Sequence, residues 1–194
     1  MKTVFFDVDT QMDFLFPAGA LYVPGAETLL PALARLRDYA AACGIVVLSS
    51  TDAHCEDDPE FSRWPPHCVA GCAGQKKPPE TLLEPRLVIP TEPGDYAIDG
   101  VRQFIVEKQA LDVFANPNLP RLLERLDAGR CVVYGVVTEY CVRCAALGLL
   151  EAGRQVELVT DAVRSLDPEA ERRTFEEILA AGGRLTTVAE VCAG

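Results

Sequence analysis

The sequence predicts a single-domain α/β protein of three layers, α/β/α, with a mostly parallel six-stranded sheet between the helices. Short apolar, β-branched runs alternate along the chain with segments of helical periodicity. These runs are continuously apolar, which is typical of parallel strands that are covered on both faces. No linker divides the 194 residues, so we expect one domain over residues 1–194.

Six apolar runs are the predicted strands. The first covers residues 2–8 and stops at Asp9, and the second covers residues 45–48. The third follows a long irregular stretch, and the remaining three alternate with helical segments; these four runs cover residues 103–106, 131–137, 156–159 and 185–188. A long irregular stretch in a compact domain is usually functional, so we expect the residues between the second and third strands to contribute to a site.

Helical periodicity appears between these runs, in residues 27–43, 119–126, 138–153 and 168–181. The first helix is expected to end at Gly44, and the second begins after Asn118, with Pro120 in its first turn. Thr138 follows a strand directly and is expected to cap the third helix. Sites in parallel sheets lie beyond the carboxyl ends of the strands, so residues at those ends are the candidates for function.

Composition excludes several classes of partner. The net charge is −11 and the acidic residues are scattered, so the chain lacks the basic patch that a nucleic-acid partner requires. No apolar run is long enough to span a bilayer, and the first residues do not resemble a secretory signal. The eight cysteines are expected to be reduced thiols in a cytoplasmic protein, and the expected partner is a small-molecule amide.

Three reactive side chains follow predicted strands. Asp9 follows the first, Lys108 the third and Cys141 the fourth. Taken singly, an Asp after a strand is commonly a turn residue and a Cys near a helix start is commonly a packing residue. Together they suit acyl transfer: a helix N-terminus and a lysine favour the thiolate, and a carboxylate can carry its proton. The combination predicts an amide hydrolase with Cys141 as its nucleophile.

The two histidines of the chain both lie in the long irregular stretch. His54 belongs to Asp52-Ala53-His54, Glu60 follows six residues later, and His67 stands in Trp64-Pro65-Pro66-His67-Cys68. Imidazole and carboxylate together suit Zn, Mn or Fe with open coordination positions. Spacing alone supports a metal site and a pair of surface histidines equally.

Three segments resemble the signatures of the isochorismatase-like cysteine hydrolases, whose fold is Rossmann-like. They are Asp9-Thr10-Gln11-Met12-Asp13-Phe14, Lys108 and Gly135-Val136-Val137-Thr138-Glu139-Tyr140-Cys141-Val142. The resemblance implies that Asp9, Lys108 and Cys141 form the catalytic triad. It also implies an oxyanion hole made by the N–H groups of Val137 and Cys141, and a cis peptide at Val137–Thr138.

The histidine loop is similar to that of the nicotinamidase branch of this family. That resemblance implies one divalent metal ion, with zinc expected and manganese or iron as alternatives, held by Asp52, His54, Glu60 and His67. Phe14 and Trp64 stand where the family places the aromatic pair that sandwiches the substrate ring. The implied activity is hydrolysis of nicotinamide to nicotinate and ammonia through a thioester, a step of NAD salvage. The resemblance also suggests a homo-oligomer.

Alternatives remain open at this point. The enzyme could be another isochorismatase-like hydrolase that acts on a different small amide or a vinyl ether. Cys141-Val142-Arg143-Cys144 has the spacing of a thioredoxin-type redox motif. The loop also contains the ligand types of a structural zinc site in His54, Cys55, His67, Cys68 and Cys72.

Overall fold

The structure, a computed structural model, describes residues 1–193 and places their strands in one parallel sheet. In chain order the strands are β1 (Lys2–Val8), β2 (Val46–Asp52), β3 (Arg86–Ile89), β4 (Gln103–Lys108), β5 (Ala128–Val136), β6 (Gln155–Arg164) and β7 (Arg184–Thr186). The spatial order is β3-β4-β2-β1-β5-β6-β7, and every neighbouring pair is parallel. The chain moves from β1 toward one edge and then returns to the other side of β1. The switch in direction therefore falls between β1 and β5, where ligands of such sheets bind.

Helices cover both faces of the sheet. In chain order they are α1 (Met12–Leu15), α2 (Leu30–Cys43), α3 (Leu119–Arg125), α4 (Arg143–Glu151), α5 (Pro168–Ala180) and α6 (Val188–Val191). Buried residues of α3, α4 and α5 belong to one apolar cluster, and those of α2 and α6 belong to the other. Within residues 1–193, no helix has the length and apolar character needed to cross a membrane.

Strand β1 carries apolar side chains on both faces of the sheet. Val4, Phe6 and Val8 belong to the cluster under α3, α4 and α5, whereas Phe5 belongs to the cluster under α2 and α6. Successive strand side chains point to opposite faces, so a strand covered on both faces must be apolar at both parities. The predicted fold class is thereby confirmed.

Besides shifts of strand ends by a few residues, three features differ from prediction. The sheet has a seventh strand, β3, which the sequence did not reveal because only one of its four residues is buried and the strand follows a proline-rich stretch. The predicted last strand ends at Thr186, and Val188 instead begins α6, because Thr187 and Glu190 form a reciprocal cap there. Thr138 does not cap the helix after β5, because its hydroxyl donates to Glu171 instead (3.2 Å).

Candidate active site

Four neighbouring strands in the middle of the sheet bring the predicted site residues together. Lys108 is the last residue of β4 and Asp52 is the last residue of β2, and the two are paired in register. Asp9 follows β1 directly, and Cys141 lies in the tight turn of residues 138–142 after β5. Because β4, β2, β1 and β5 are adjacent and parallel, their carboxyl ends meet at one edge.

Lys108 lies between the other three side chains. Its Nζ is 2.9 Å from Asp9 Oδ2, donates to Cys141 Sγ at 3.6 Å, and hydrogen-bonds Asp52 Oδ1. The ammonium is 1% exposed. Burial by itself lowers the pKa of Lys108, but the carboxylates of Asp52 and Asp9 outweigh it and raise the pKa well above its ordinary value. Lys108 is therefore a fixed positive charge in this site.

Asp9 is buried beside the thiol of Cys141. Burial raises the pKa of the Asp9 carboxyl, while the charge of Lys108 and a hydrogen bond from Ser50 Oγ to Oδ1 (2.6 Å) oppose that rise. Oδ2 has the Lys108 ion pair but no hydrogen bond of good geometry. A carboxylate with a raised pKa and a free lone pair beside a thiol is suited to take its proton.

Cys141 is 6% exposed and lies on the wall of a cavity. Burial raises the pKa of its thiol well above the ordinary value, and the positive charge of Lys108 lowers it by less. Asp9 raises the pKa further through its charge and a hydrogen bond. The sequence predicts a thiolate stabilised by lysine, whereas this balance favours a protonated thiol.

The turn before Cys141 contains the predicted oxyanion hole. The carbonyl of Val137 accepts hydrogen bonds from the amides of Tyr140 (3.1 Å) and Val142 (3.2 Å). Those two amides are thus occupied, whereas the predicted oxyanion hole uses the amides of Val137 and Cys141, whose role stays a prediction. The cis peptide expected at Val137–Thr138 lies one residue earlier, at Val136–Val137, where strand β5 ends. Sequence spacing carries no signal for that position.

Asp52, His54 and His67 form a compact cluster of metal-ligand atoms. One ligand atom of each lies within 4.8 Å of the others, and all three residues are buried. Asp52 Oδ2 is 3.7 Å from His54 Nε2 and 3.6 Å from His67 Nε2. His54 Nε2 is buried without a hydrogen-bond partner, and such a polar atom is costly unless a ligand satisfies it. The residues present therefore fit a divalent metal ion.

Both histidines are oriented through their other ring nitrogen. His54 Nδ1 is 2.9 Å from Asp58 Oδ2, and His67 Nδ1 is 2.8 Å from the carbonyl of Pro65. Burial lowers the pKa of His54, but Asp52 and Asp58 outweigh it and raise the pKa to about 9. A proton and a metal ion therefore compete for His54 Nε2. Burial raises the pKa of Asp52, yet Lys108 and both histidines outweigh it, so the net pKa is lowered.

Asp52 and His67 of the metal-ligand cluster and Asp9 and Cys141 of the predicted triad line one open cavity of about 510 Å³, whereas His54 and Lys108 are not part of its wall. Phe14 and Trp64 both line it, Phe14 with its ring centroid 5.5 Å from that of His67, and Trp64 edge-on to Tyr140 at 5.6 Å. Most of the remaining wall is apolar and comes from Leu21, Tyr22, Val23, Leu111, Val136, Val137 and Leu166. The cavity thus offers flat aromatic surfaces beside a nucleophile and a metal site.

Comparison with known proteins identifies the family. The Isochorismatase domain matches residues 3–190 of the chain. The chain belongs to the isochorismatase family. The predicted family is therefore confirmed, as is the prediction of a hydrolase acting on an amide C–N bond.

The chain is similar to family members with different activities. The nicotinamidase of Escherichia coli (strain K12) is 26% identical, and the match covers 94% of this chain and 93% of that protein. The streptothricin hydrolase of Streptomyces noursei is 31% identical over 82% of this chain, but only 49% of that protein is covered. The pyrazinamidase of Pyrococcus horikoshii, solved in complex with zinc, superposes with a TM-score of 0.83 at 28% identity, covering 96% and 99% of the two chains.

Glu60, the predicted fourth ligand, lines the cavity with the other site residues but lies outside the three-residue cluster of ligand atoms. Its role as a ligand of this family site stays a prediction. No cysteine among residues 1–193 joins the cluster. Cys55 is exposed, and the thiol of Cys68 points to the carbonyl of Gly74 (3.9 Å). The structure therefore favours a site of nitrogen and oxygen ligands over a cysteine-based structural zinc.

Several residues that organise the site were missed from the sequence. Ser50 holds Asp9, Asp58 holds His54, and Tyr140 packs against Trp64. Gln11 accepts from the amide of Asp52 (2.7 Å) and donates to its carbonyl (2.9 Å), which joins the ends of β1 and β2. Ser50 and Asp58 carried usable signals, since the first interrupts a buried strand with a polar residue and the second precedes a proline at a turn.

Proposed function

We propose that this enzyme hydrolyses nicotinamide to nicotinate and ammonia through a thioester on Cys141. The observation that carries the proposal is the shared cavity: Asp52 and His67 of the metal-ligand cluster line the same aromatic-lined space as Cys141 and Asp9. The pyridine ring and the carboxamide of nicotinamide require those two functions side by side. A nicotinamidase and a pyrazinamidase that match 94% and 96% of the chain support the same assignment.

The metal site has a defined part in this proposal. Asp52, His54 and His67, with Glu60 as the fourth ligand, would hold one divalent ion, for which zinc suits the nitrogen and oxygen ligands best. When bound, the ion supplies a Lewis-acid contact for the pyridine nitrogen of the substrate. Phe14 and Trp64 both line the cavity and would hold the ring between them.

Acylation then uses the three residues at the strand ends. Asp9 takes the proton of Cys141, and the thiolate attacks the carboxamide carbon, with Lys108 compensating the charge of the sulfur. The amides of Val137 and Cys141 would receive the developing oxyanion. Asp9 returns the proton to the leaving nitrogen, the C–N bond breaks, and ammonia departs.

Deacylation returns the free enzyme. Asp9, now ionised again, removes a proton from a water molecule that attacks the thioester carbon. The C–S bond breaks, Cys141 regains its proton, and nicotinate leaves. The buried ion pair between Lys108 and Asp9 keeps the carboxylate in place through both halves of the reaction.

Within residues 1–193, the cavity wall offers no lysine or arginine for a substrate that carries carboxylates. Lys108, beside the cavity, is already bound by Asp9 and Asp52. A vinyl ether substrate with carboxylates would therefore find no basic side chain to bind it among the described cavity residues. The alternative is a different neutral amide as substrate, and the similarity to a streptothricin hydrolase supports that alternative.

The proposal places the enzyme in recycling of pyridine nucleotides. We also propose a cytoplasmic location, which suits its eight unpaired cysteines, and a homo-oligomer of single-domain chains. Size-exclusion chromatography with light scattering would test the oligomeric state directly.

Substrate choice is tested by ammonia release from zinc-loaded enzyme. Nicotinamide should be cleaved far faster than benzamide, which has the same shape but lacks the ring nitrogen. Cys141→Ala should have no turnover while its circular dichroism and zinc content equal those of the wild type. Equal rates on the two amides, or activity in Cys141→Ala, would refute the assignment.

A further inference from the structure

Asp58 connects two parts of the metal loop. It is 7% exposed, and its two carboxylate oxygens have different partners. Oδ2 lies 2.9 Å from His54 Nδ1, and Oδ1 accepts a hydrogen bond of 2.9 Å from the amide of Glu60. Through the second bond Asp58 caps the turn Pro59–Ser62, which carries Glu60 into the cavity wall. One side chain therefore restrains both a histidine ring and the turn that follows it.

We propose that Asp58 is a positioning residue for the metal site, fixing the ring of His54 so that Nε2 faces Asp52 with its lone pair free. The proposal rests on the metal role assigned above. A neutral imidazole has one N–H and one lone pair, and the partner of one nitrogen decides which is which. Donation from Nδ1 to Asp58 leaves the lone pair on Nε2, which is buried, unpartnered and 3.7 Å from Asp52 Oδ2.

The two histidines differ in how they are fixed. His67 donates from Nδ1 to the backbone carbonyl of Pro65, an acceptor that no substitution can remove. His54 depends on a side chain, so its orientation can be changed by mutation while the backbone stays in place. Carboxylate partners of metal-binding histidines typically contribute 10–100-fold to metal affinity.

Asp58→Asn tests the orientation of the His54 ring without changing the size of the side chain at position 58. The amide of Glu60 needs an acceptor, so it holds the asparagine oxygen where Oδ1 lies now. The asparagine NH₂ then faces His54 Nδ1, and two donors cannot bond to each other. The ring must place its proton on Nε2, which blocks the metal, or turn away. The size of the side chain is unchanged, whereas the direction of one hydrogen bond is reversed and one negative charge is lost.

The experiment measures zinc affinity by competition with a chelator at one pH for all variants, without substrate. We expect Asp58→Asn to bind zinc about 10–100-fold more weakly than the wild type. Asp57→Asn is the matched control, because Asp57 is an exposed neighbour with the same charge, and its affinity should stay within about twofold. Loss of the Asp58 charge weakens proton competition at His54 and also weakens the attraction for the cation. The affinity is therefore read together with the protonation pattern of the His54 ring.

A second readout separates positioning from folding. Nitrogen chemical shifts of His54 in the zinc-loaded proteins should show a protonated Nδ1 in the wild type and Asp57→Asn, and a different state in Asp58→Asn. If Asp58→Asn fails to fold, Asp58→Ser keeps a cap for the Glu60 amide but cannot reach His54, and it should show the same weakened affinity.

Two results would overturn the proposal. One is wild-type zinc affinity in Asp58→Asn or, where that variant does not fold, in Asp58→Ser; the other is an equal loss in Asp57→Asn. Because the assay contains no substrate, its outcome is independent of whether nicotinamide is hydrolysed.

Discussion

Asp52 shares its carboxylate between Lys108 and the two histidines of the metal loop. Oδ1 accepts from Lys108 Nζ, while Oδ2 faces the Nε2 atoms of the two rings at 3.6 and 3.7 Å. Lys108 in turn contacts Asp9 and the thiol of Cys141. The Lys108–Asp52 ion pair therefore joins the metal-ligand cluster to the predicted triad. A substitution in one group should change the properties of the other.

Removal of the shared cation tests this connection. Lys108→Met leaves Asp9 and Asp52 buried without their partner, and breaking a buried pair in this way typically costs about 3–5 kcal/mol. We expect a loss of that size in the free energy of unfolding, measured by urea denaturation of the metal-free protein. Zinc neutralises Asp52, so the loss should be smaller in the zinc-loaded protein. Lys2→Met, at an exposed position, is the control, and equal losses with and without zinc would contradict the shared role.

The hydrogen bond from Ser50 should affect the pH at which activity is lost on the acid side. Asp9 must be ionised to take the thiol proton, and its raised pKa places the loss of activity at a higher pH than for an ordinary carboxyl. The hydrogen bond from Ser50 opposes that rise, so Ser50→Ala should move the acid limb further upward by about one pH unit. The measurement is kcat/KM against pH with zinc content monitored throughout.

A matched variant controls for packing next to Ser50. Thr51→Val changes the neighbouring buried hydroxyl, which has no hydrogen-bond partner, and it should leave the acid limb in place. An acid limb that stays fixed or moves downward in Ser50→Ala would show that Asp9 is not the group that titrates.

Gly74 should not tolerate a side chain, because there is no space for one, whereas Gly71 has space but an unfavourable backbone conformation. A Cβ at this position would overlap the carboxylate of Asp13, whose Oδ2 accepts from the amide of Cys68 (2.7 Å) next to His67. Gly71 has open space but a positive φ of 83°, so its replacement by alanine costs only backbone strain, about 1 kcal/mol. We expect Gly74→Ala to lower the melting temperature and zinc affinity, and Gly71→Ala to spare zinc affinity. Equal zinc affinity in both would refute this reading.

Lys77 should stabilise the protein much more than the lysine beside it. Its Nζ lies 2.9 Å from Asp7 Oδ2 and donates to Thr10 Oγ1 (2.5 Å). All three side chains are buried. Lys77→Met leaves Asp7 unpaired and should cost about 3–5 kcal/mol in the free energy of unfolding. Lys76→Met, at an exposed position, should be near neutral. A small effect at Lys77 would mean that water or another group satisfies Asp7.

Local patterns in the sequence predict the fold class and where the reactive residues stand along the chain. Short, mainly apolar runs such as residues 2–8 that alternate with helical segments indicate strands covered on both faces, and such strands place Asp9 and Cys141 at one edge of the sheet. Asp52, His54 and His67 can likewise be identified in the sequence as residue types that bind metals. These features are local, so the pattern of neighbouring residues is enough to predict them.

The contacts between these residues, and the groups that orient them, became apparent from the folded structure alone. Asp58 and Asp57 are adjacent acidic residues, yet burial against His54 distinguishes one from the other. The same holds for Lys77 and Lys76, and for strand β3, whose pairing with β4 outweighs its weak pattern. The pKa of Cys141 followed burial more than its lysine neighbour. Such properties depend on partners distant in the chain and on the exclusion of water, which no local pattern records.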